Sequence, residues 1–354
     1  MDCTDFITNC EEEGKVSMIV MRLRGRLGNQ LFIYAFGRAL QTKYNMPLIL
    51  VDNENDTGGS KIAELKIPSD IIISKYSVGY KFDYYNMKAE DYKKVNTGLS
   101  ASWEREQAYN NFCKENGIPL MNLSQKVAIY KHKILTRRCS LTERYKKEKE
   151  DAISLARRGI FVCENGYIDF EEPFSNIKNI FGFGYFQSEK YFENIKDEIR
   201  KEVRRKDELR PELQEYVDGI ENSNSVCLSI RMGDYLNNPV LGVCTQKYYE
   251  KAIEKIYDLY PDARIYVYSD DIDAVMKMFH FKNDVVVEPH GCSESEKLTY
   301  MSKCKHFIVS NSSFSWWAQY LGEYEGKTVI APNKWTKVSC PCDIYQKGWI
   351  IIEV

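Results

Sequence analysis

Three short polar stretches carry side chains suited to an anion, and each follows an apolar run. The first is Arg231-x-Gly-Asp234, behind Val226, Cys227, Leu228 and Ile230. Arginine offers a planar fork of donors matched to phosphate oxygens, and aspartate can take a proton or hold a hydroxyl. Ser269-Asp270-Asp271 is the second, and Ser310-Asn311-Ser312-Ser313-Phe314 the third. Hydroxyls and backbone N–H groups of residues 311–314, at a helix N-terminus, can hold phosphate oxygens. A carboxylate at Asp270 or Asp271 can accept from a ribose hydroxyl or a base N–H. Arg231 and Asp234 alone would read as an ion pair tying down a loop. Three such turns at strand ends read as one crevice for a nucleotide diphosphate.

Other motifs are weaker. Gly25 and Gly28, with Arg26 and Asn29 between and after them, could cradle a phosphate, but the spacing is not G-x-G-x-x-G and does not support dinucleotide binding. Asp271-Ile-Asp273 could be a D-x-D pair holding a metal and a diphosphate. The expectation is nevertheless no metal and no cofactor, because the pair caps a mid-sheet strand beside an arginine able to take the charge. Cys340-Pro-Cys342 has no second pair at zinc-site spacing, and His132, His280, His290 and His306 lack a nucleophile motif around them.

The elements that must position these residues alternate. Residues 18–21 predict a strand, 22–30 a Gly-containing loop, 31–40 an apolar helix and 47–52 a second strand, which makes a βαβ unit. Residues 53–175 are less regular. Residues 137–158 interleave Lys and Arg with Glu143, Glu148, Glu150 and Asp151, the pattern of a solvated helix face. A helix is predicted over 189–205 with Phe192, Ile195, Ile199 and Val203 on one side, and a hinge at Arg204 to Pro211. Beyond it, strands near 225, 264, 285, 306, 327 and 349 alternate with helices, including 245–259 and one opened by the capping box Ser293-x-x-Glu296. Such alternation means α/β structure with parallel sheets covered on both faces. The expected division is into residues 1–210 and residues 211–354.

Composition excludes some classes. With 354 residues the chain suits two domains, and a net charge of −2 offers no bulk field for nucleic acid. The 11 Cys follow no disulfide framework, no secretory leader opens the sequence, and no apolar run is long enough to span a bilayer. A reducing cytoplasm is expected, with at most peripheral membrane contact. Residues 1–15, acidic at Glu11 to Glu13, read as a loose lead-in.

Five blocks in order resemble the α-1,2-fucosyltransferase family. They are Gly25-Arg-Leu-Gly-Asn-Gln-Leu-Phe32 with Tyr34 to Leu40, Gly184-Tyr-Phe-Gln-Ser188, Arg231-x-Gly-Asp-Tyr235, Ser269-Asp-Asp271 and Ser310-Asn-Ser-Ser-Phe-Ser-Trp-Trp-Ala318. The resemblance implies a GT-B-like α/β architecture, two Rossmann-like domains facing a cleft. It also implies metal-independent, inverting transfer of fucose from GDP-β-L-fucose to O2 of a terminal β-galactoside, borne on an oligosaccharide or lipid-linked glycan. By position, Arg231 would contact the β-phosphate, Ser312, Ser313 and Phe314 phosphate and sugar, and Asp270 or Asp271 the guanosine. Arg26, Gly28 and Asn29 would reach the donor across the cleft, Asn29 as a positioning group. Asp234 is the nearest carboxylate for a general base, and no discrete base is the alternative. Two departures are Ser229, where the family usually has His in the nucleotide pocket, and Met232, where a second Arg is usual. They leave open a catalytically silent nucleotide-sugar-binding protein, with the metal-dependent use of Asp271 and Asp273 as a further alternative.

Overall fold

The structure, a computed structural model, describes residues 17–77, 99–170, 177–236 and 238–354; the side chains of residues 99–104, 234 and 236 lie outside that description. The acidic lead-in therefore falls outside the described residues.

The first half begins with the expected βαβ unit, β1 (Ile19–Arg22), α1 (Leu27–Tyr44) and β2 (Leu48–Asn53), followed by β3 (Ile71–Tyr76). Three helices follow, α2 (Leu99–Glu115), α3 (Leu123–Thr136) and α4 (Leu141–Ala156), then β4 (Ile160–Cys163) and β5 (Ile180–Gly184). The strands form one sheet in the order β3-β2-β1-β5-β4, and every pairing is parallel. Every residue of β2 is buried, as a strand covered on both faces requires. Asn122 with Gln125 and Ser140 with Glu143 form capping boxes that start α3 and α4. The charged α4 turns Lys147 and Glu150 outward as a pair, as its sequence suggests, but Glu148, expected on the same solvated face, is buried.

The connection between the halves differs from expectation. Instead of one helix over 189–205, two 3-10 turns at Glu189–Tyr191 and Glu193–Ile195 precede a short α5 (Lys196–Glu202). Phe192 has φ −133° and ψ 18°, which interrupts an α-helix. Its fully buried ring stacks on Trp317, with centroids 5.6 Å apart. That burial outweighs the local helical preference. The segment expected as a hinge is held to both halves. Lys66 donates its amide to the Arg204 carbonyl over 2.8 Å, and Arg210 meets Glu296 at 3.0 Å.

The second half contains α6 (Gln214–Asn222), β6 (Ser225–Ile230), α7 (Gln246–Leu259), β7 (Arg264–Ser269), α8 (Ile272–Met278) and β8 (Val285–Val287). Then come α9 (Glu294–Ser302), β9 (His306–Ile308), α10 (Ser313–Leu321), β10 (Val329–Pro332) and β11 (Ile350–Ile352). Its all-parallel sheet runs β11-β10-β9-β6-β7-β8, the strand order of a Rossmann fold. The apolar face of α7, from Tyr248 to Tyr257, is buried as its spacing predicts.

The two halves share a core. Phe32 of α1 lies 4.6 Å from Trp316 and 5.1 Å from Trp317 of α10, and both indoles are fully buried. Burying a ring of this size contributes about 2–3 kcal/mol. These rings therefore fix how the two sheets face each other.

Candidate active site

In the second sheet the chain leaves β6 toward β7 and β8, then returns to the other side of β6 as β9. The turns after β6 and β9 diverge from neighbouring strands and open a crevice, the usual ligand position in such sheets. The first sheet has the same reversal between β1 and β5. The two crevices line a single cavity of about 510 Å³. That volume suits a small-molecule ligand.

The first-half wall departs from the expected loop. The helix starts at Leu27 rather than Leu31, so Gly28 and Asn29 lie in its first turn. Gly25, at φ +66°, makes the turn that lets it start there. Gln30 fixes that turn by donating to the Gly25 carbonyl over 2.7 Å while accepting from Ser60 Oγ over 2.6 Å. Arg26 is the N-cap, and its side chain makes no capping bond. Gly28 is needed for close approach. A Cβ there would stand 2.5 Å from the Phe314 amide nitrogen and 2.7 Å from the Ser313 carbonyl carbon. The N-termini of α1 and α10 thus meet at the cavity. Each carries the partial positive charge of its unsatisfied N–H groups.

Asn29 stands at that junction. Its Oδ1 accepts from Ser313 Oγ at 2.7 Å and from Gln187 Nε2 at 2.8 Å. Gln187 follows Phe186, a buried residue with φ 51° whose ring stacks on Phe36 at 4.0 Å. A non-glycine residue persists in that conformation only when its surroundings hold it.

The second-half wall brings the three strand-end turns together. Arg231, Asp270 and residues 311–314 all line the cavity. Asp270 receives the Met232 and Gly233 amides at 2.8 and 3.2 Å and stands 3.6 Å from the Arg231 guanidinium. It therefore shapes the turn that aims the arginine. Ser229 is buried, with its hydroxyl 2.6 Å from that of Ser315. Ser312 is the N-cap of α10, its Oγ accepting from the Phe314 amide. Ser313 and Phe314, in the first turn, are only partly buried and line the cavity.

Three expected site residues carry other duties, and the side chain of a fourth lies outside the described residues. Asp271 is exposed and caps α8 by accepting from the Ala274 amide at 3.0 Å. Asp273 is exposed in the first turn of that helix, so the D-x-D spacing marks a helix start. Asn311 donates its amide to the Leu241 and Trp335 carbonyls at 2.8 and 2.9 Å and anchors the cavity wall. The backbone of Asp234 lies in a single helical turn, Gly233–Leu236, and it is this side chain that is not described.

Four carboxylates not singled out from the sequence also line the cavity, Glu164, Glu288, Glu294 and Asp343; Glu164 is paired with Arg24 and Asp343 with Lys190. Glu288 follows β8 as Asp270 follows β7, so the strand-end signal was available for it. It is 8% exposed, its Oε1 meets Lys297 Nζ at 2.9 Å, and its Oε2 is buried without a hydrogen bond. Burial pushes its pKa up, helped by Asp270, while Lys297 pulls it back. Glu294 opens α9, hidden in sequence inside the capping box of Ser293 and Glu296. Burial raises its pKa too, against the pull of Arg26, Lys61 and Arg231 and with a small push from Glu64. A carboxylate facing arginines from both halves has the setting of a group that handles protons.

Two Rossmann-like halves facing a cleft, with converging helix N-termini and arginines inside it, make a GT-B-like glycosyltransferase. The chain belongs to glycosyl transferase family 11, whose model matches residues 118–353. It is 26% identical over 334 residues to an α-1,2-colitosyltransferase of Escherichia coli, covering 90% of this chain and 93% of that one. It is 38% identical over 136 residues to the O-antigen biosynthesis glycosyltransferase WbnK of Escherichia coli, covering 37% of this chain and 45% of that one. It is 28% identical over 162 residues to galactoside 2-α-L-fucosyltransferase Sec1 of Mus musculus, covering 42% and 44%. The chain thus spans less than half the length of the latter two. Among the described residues no helix is long and apolar enough to cross a membrane.

Proposed function

We propose that this glycosyltransferase moves L-fucose from GDP-β-L-fucose to O2 of a terminal β-galactoside, with inversion and without a metal ion. The carrying observation is the meeting of two helix N-termini at Gly28 and Phe314, with Arg26 and Arg231 on the same cavity. Two helix ends and two guanidinium groups supply positive charge where a diphosphate becomes a leaving group. Preorganised charge of this kind usually contributes more to rate than any other single effect. The α-1,2 linkage is that of the relatives, which are named for it.

In this reading the C1–O bond to the β-phosphate breaks first, its electron pair passing to the phosphate oxygen held by Arg231 and the 312–314 turn. An oxocarbenium-like fucosyl group is left and is attacked from the opposite face by the acceptor O2. The proton of that hydroxyl passes to a carboxylate. Glu294 is the lining carboxylate best set for this, and Asn29 positions the groups between the halves. Glu288 takes the guanine edge. A carboxylate only accepts, and guanine presents N1–H and N2–H donors side by side. Its unbonded buried Oε2 supports that assignment.

A second donor follows from the relative matched over most of its length, which is named for colitose. That sugar is fucose without its 3-hydroxyl, so the same phosphate and base contacts serve both. The test is GDP release from GDP-fucose and GDP-colitose, with and without lactose or a type-1 β-galactoside, each repeated with EDTA. Release stimulated by acceptor and indifferent to EDTA supports the proposal, and Arg231→Ala should lower it about 10²–10³-fold. Chelator-sensitive release would favour metal-dependent chemistry. GDP-fucose binding without turnover would favour a silent binding protein.

A further inference from the structure

One face of α3 is turned outward and is apolar. The helix is seated by its opposite face, where Ile129 packs with Leu155, Ile160 and Val162. Gln125 donates to the Arg158 carbonyl at 2.7 Å, and His132 meets Asp151 at 2.9 Å. Leu123, Val127, Tyr130 and Ile134 recur at i, i+4, i+7 and i+11, which places them in one stripe. They are 78%, 59%, 67% and 57% exposed. Single exposed apolar residues are ordinary, whereas four in line along one helix mark an interaction surface.

Cations border the stripe. Lys126 lies on one flank and Lys131 on the other, each roughly 70° around the helix. Arg137 and Arg138 follow its C-terminal end, and all four are exposed. No Asp or Glu occurs in α3. Lys133 instead leans over Phe183, 5.3 Å from the ring, in reach of the charges of Arg22, Glu106, Arg24 and Glu164, the last of which lines the cavity. The helix therefore packs beside β4, whose C-terminal end leads to Glu164 on the cavity wall.

We propose that α3 is a membrane-docking helix for an anionic bilayer. Its apolar stripe enters the boundary between headgroups and acyl chains, and the four cations meet lipid phosphates. An apolar stripe with basic borders is how a helix lies in that interface, and each Lys or Arg near an anionic surface adds to the attraction. A second copy of the chain is the poorer occupant. A two-fold pairing through this stripe sets the same cations against each other, since such a contact matches one patch with itself. Docking this way holds the cavity wall at Glu164 near the bilayer, where a lipid-borne acceptor would be found.

The test is sedimentation of the full chain with phosphatidylcholine vesicles, with and without phosphatidylglycerol, at low and high salt. Binding should require phosphatidylglycerol and weaken with salt. The double variant Val127→Glu, Ile134→Glu should bind tenfold or more weakly, with unchanged circular dichroism and melting temperature because both side chains are already exposed. Lys126→Ala with Lys131→Ala should lose about tenfold on anionic vesicles alone. Failure of the wild type to bind anionic vesicles, or equal binding by the Glu variant, overturns the proposal. So does a dimer that the Glu variant disperses while vesicle binding persists.

Discussion

Ser313 donates its hydroxyl to Asn29 Oδ1 over 2.7 Å, joining the N-terminus of α10 to that of α1 across the cleft. The bond exists because the residue before Asn29 is Gly28, which brings the two backbones within contact. Gly28→Ala must push them apart, since the obstructing atoms include the Ser313 and Phe314 backbone. The expected cost is about 1–3 kcal/mol of stability and about 10²-fold in turnover from misplacement of the charge-bearing helix ends. Asn29→Ala, which keeps the approach and loses the bridge, should cost only about 1 kcal/mol. Thermal melts and initial rates of the two variants check this; a Gly28→Ala protein with normal melting and turnover contradicts it.

Glu288→Gln should change which nucleotide is held more than how stably the chain folds. The wild type should prefer GDP over IDP, which lacks the 2-amino donor, and over UDP and ADP. The variant should lose most of that preference, about 1–3 kcal/mol for a buried hydrogen bond to a charged group. Calorimetric titration of the four nucleotides measures it. Equal affinity of the wild type for GDP and UDP would remove Glu288 from the base site.

Glu294 gives the pH dependence a sign. A base must be ionised, and burial raises the pKa of this carboxyl from its ordinary value, against the pull of Arg26, Lys61 and Arg231. Activity should therefore fall as pH drops through that raised pKa, at higher pH than an unperturbed carboxylate would give. Glu294→Gln should remove that acidic limb along with most of the turnover. A limb unchanged in the variant would assign the proton to another group. Rate profiles against pH at saturating donor decide between them.

Stability has its own pH signature at Glu148. This carboxyl is 1% exposed, accepts the Glu164 amide at 3.1 Å, and is pushed up to about 7, chiefly by burial. A carboxyl raised in the folded state is neutral at low pH and imposes no penalty there. As pH climbs from the ordinary value near 4.5 toward 7, the unfolded chain ionises first, so stability is lost across that window. Glu148→Gln should flatten this slope and gain on the order of 1–3 kcal/mol above pH 7. Urea unfolding of both proteins at pH 5 and pH 8 tests the prediction; parallel losses would refute it.

The sequence by itself determined the α/β class, the all-parallel alternation of the second half and the places where strands end in chemistry. Those features are local. Apolar runs such as 226–230 must be buried on both faces, and polar turns such as 231–234, 269–271 and 310–314 must then lie beyond the strand ends. The Ser293 capping box and the apolar face of α7 were legible for the same reason, since they are set within one or a few helical turns. Only the tertiary structure decided which of these residues meet. Asn29 and Ser313 lie far apart in the chain, and their bond depends on how buried rings such as Phe32, Phe192 and Trp317 set one sheet against the other. The same dependence turned Asn311 into a wall anchor and brought Glu288 and Glu294 into the cavity. A side chain's type states what it can bond, and its partner is fixed by long-range packing that no local pattern encodes.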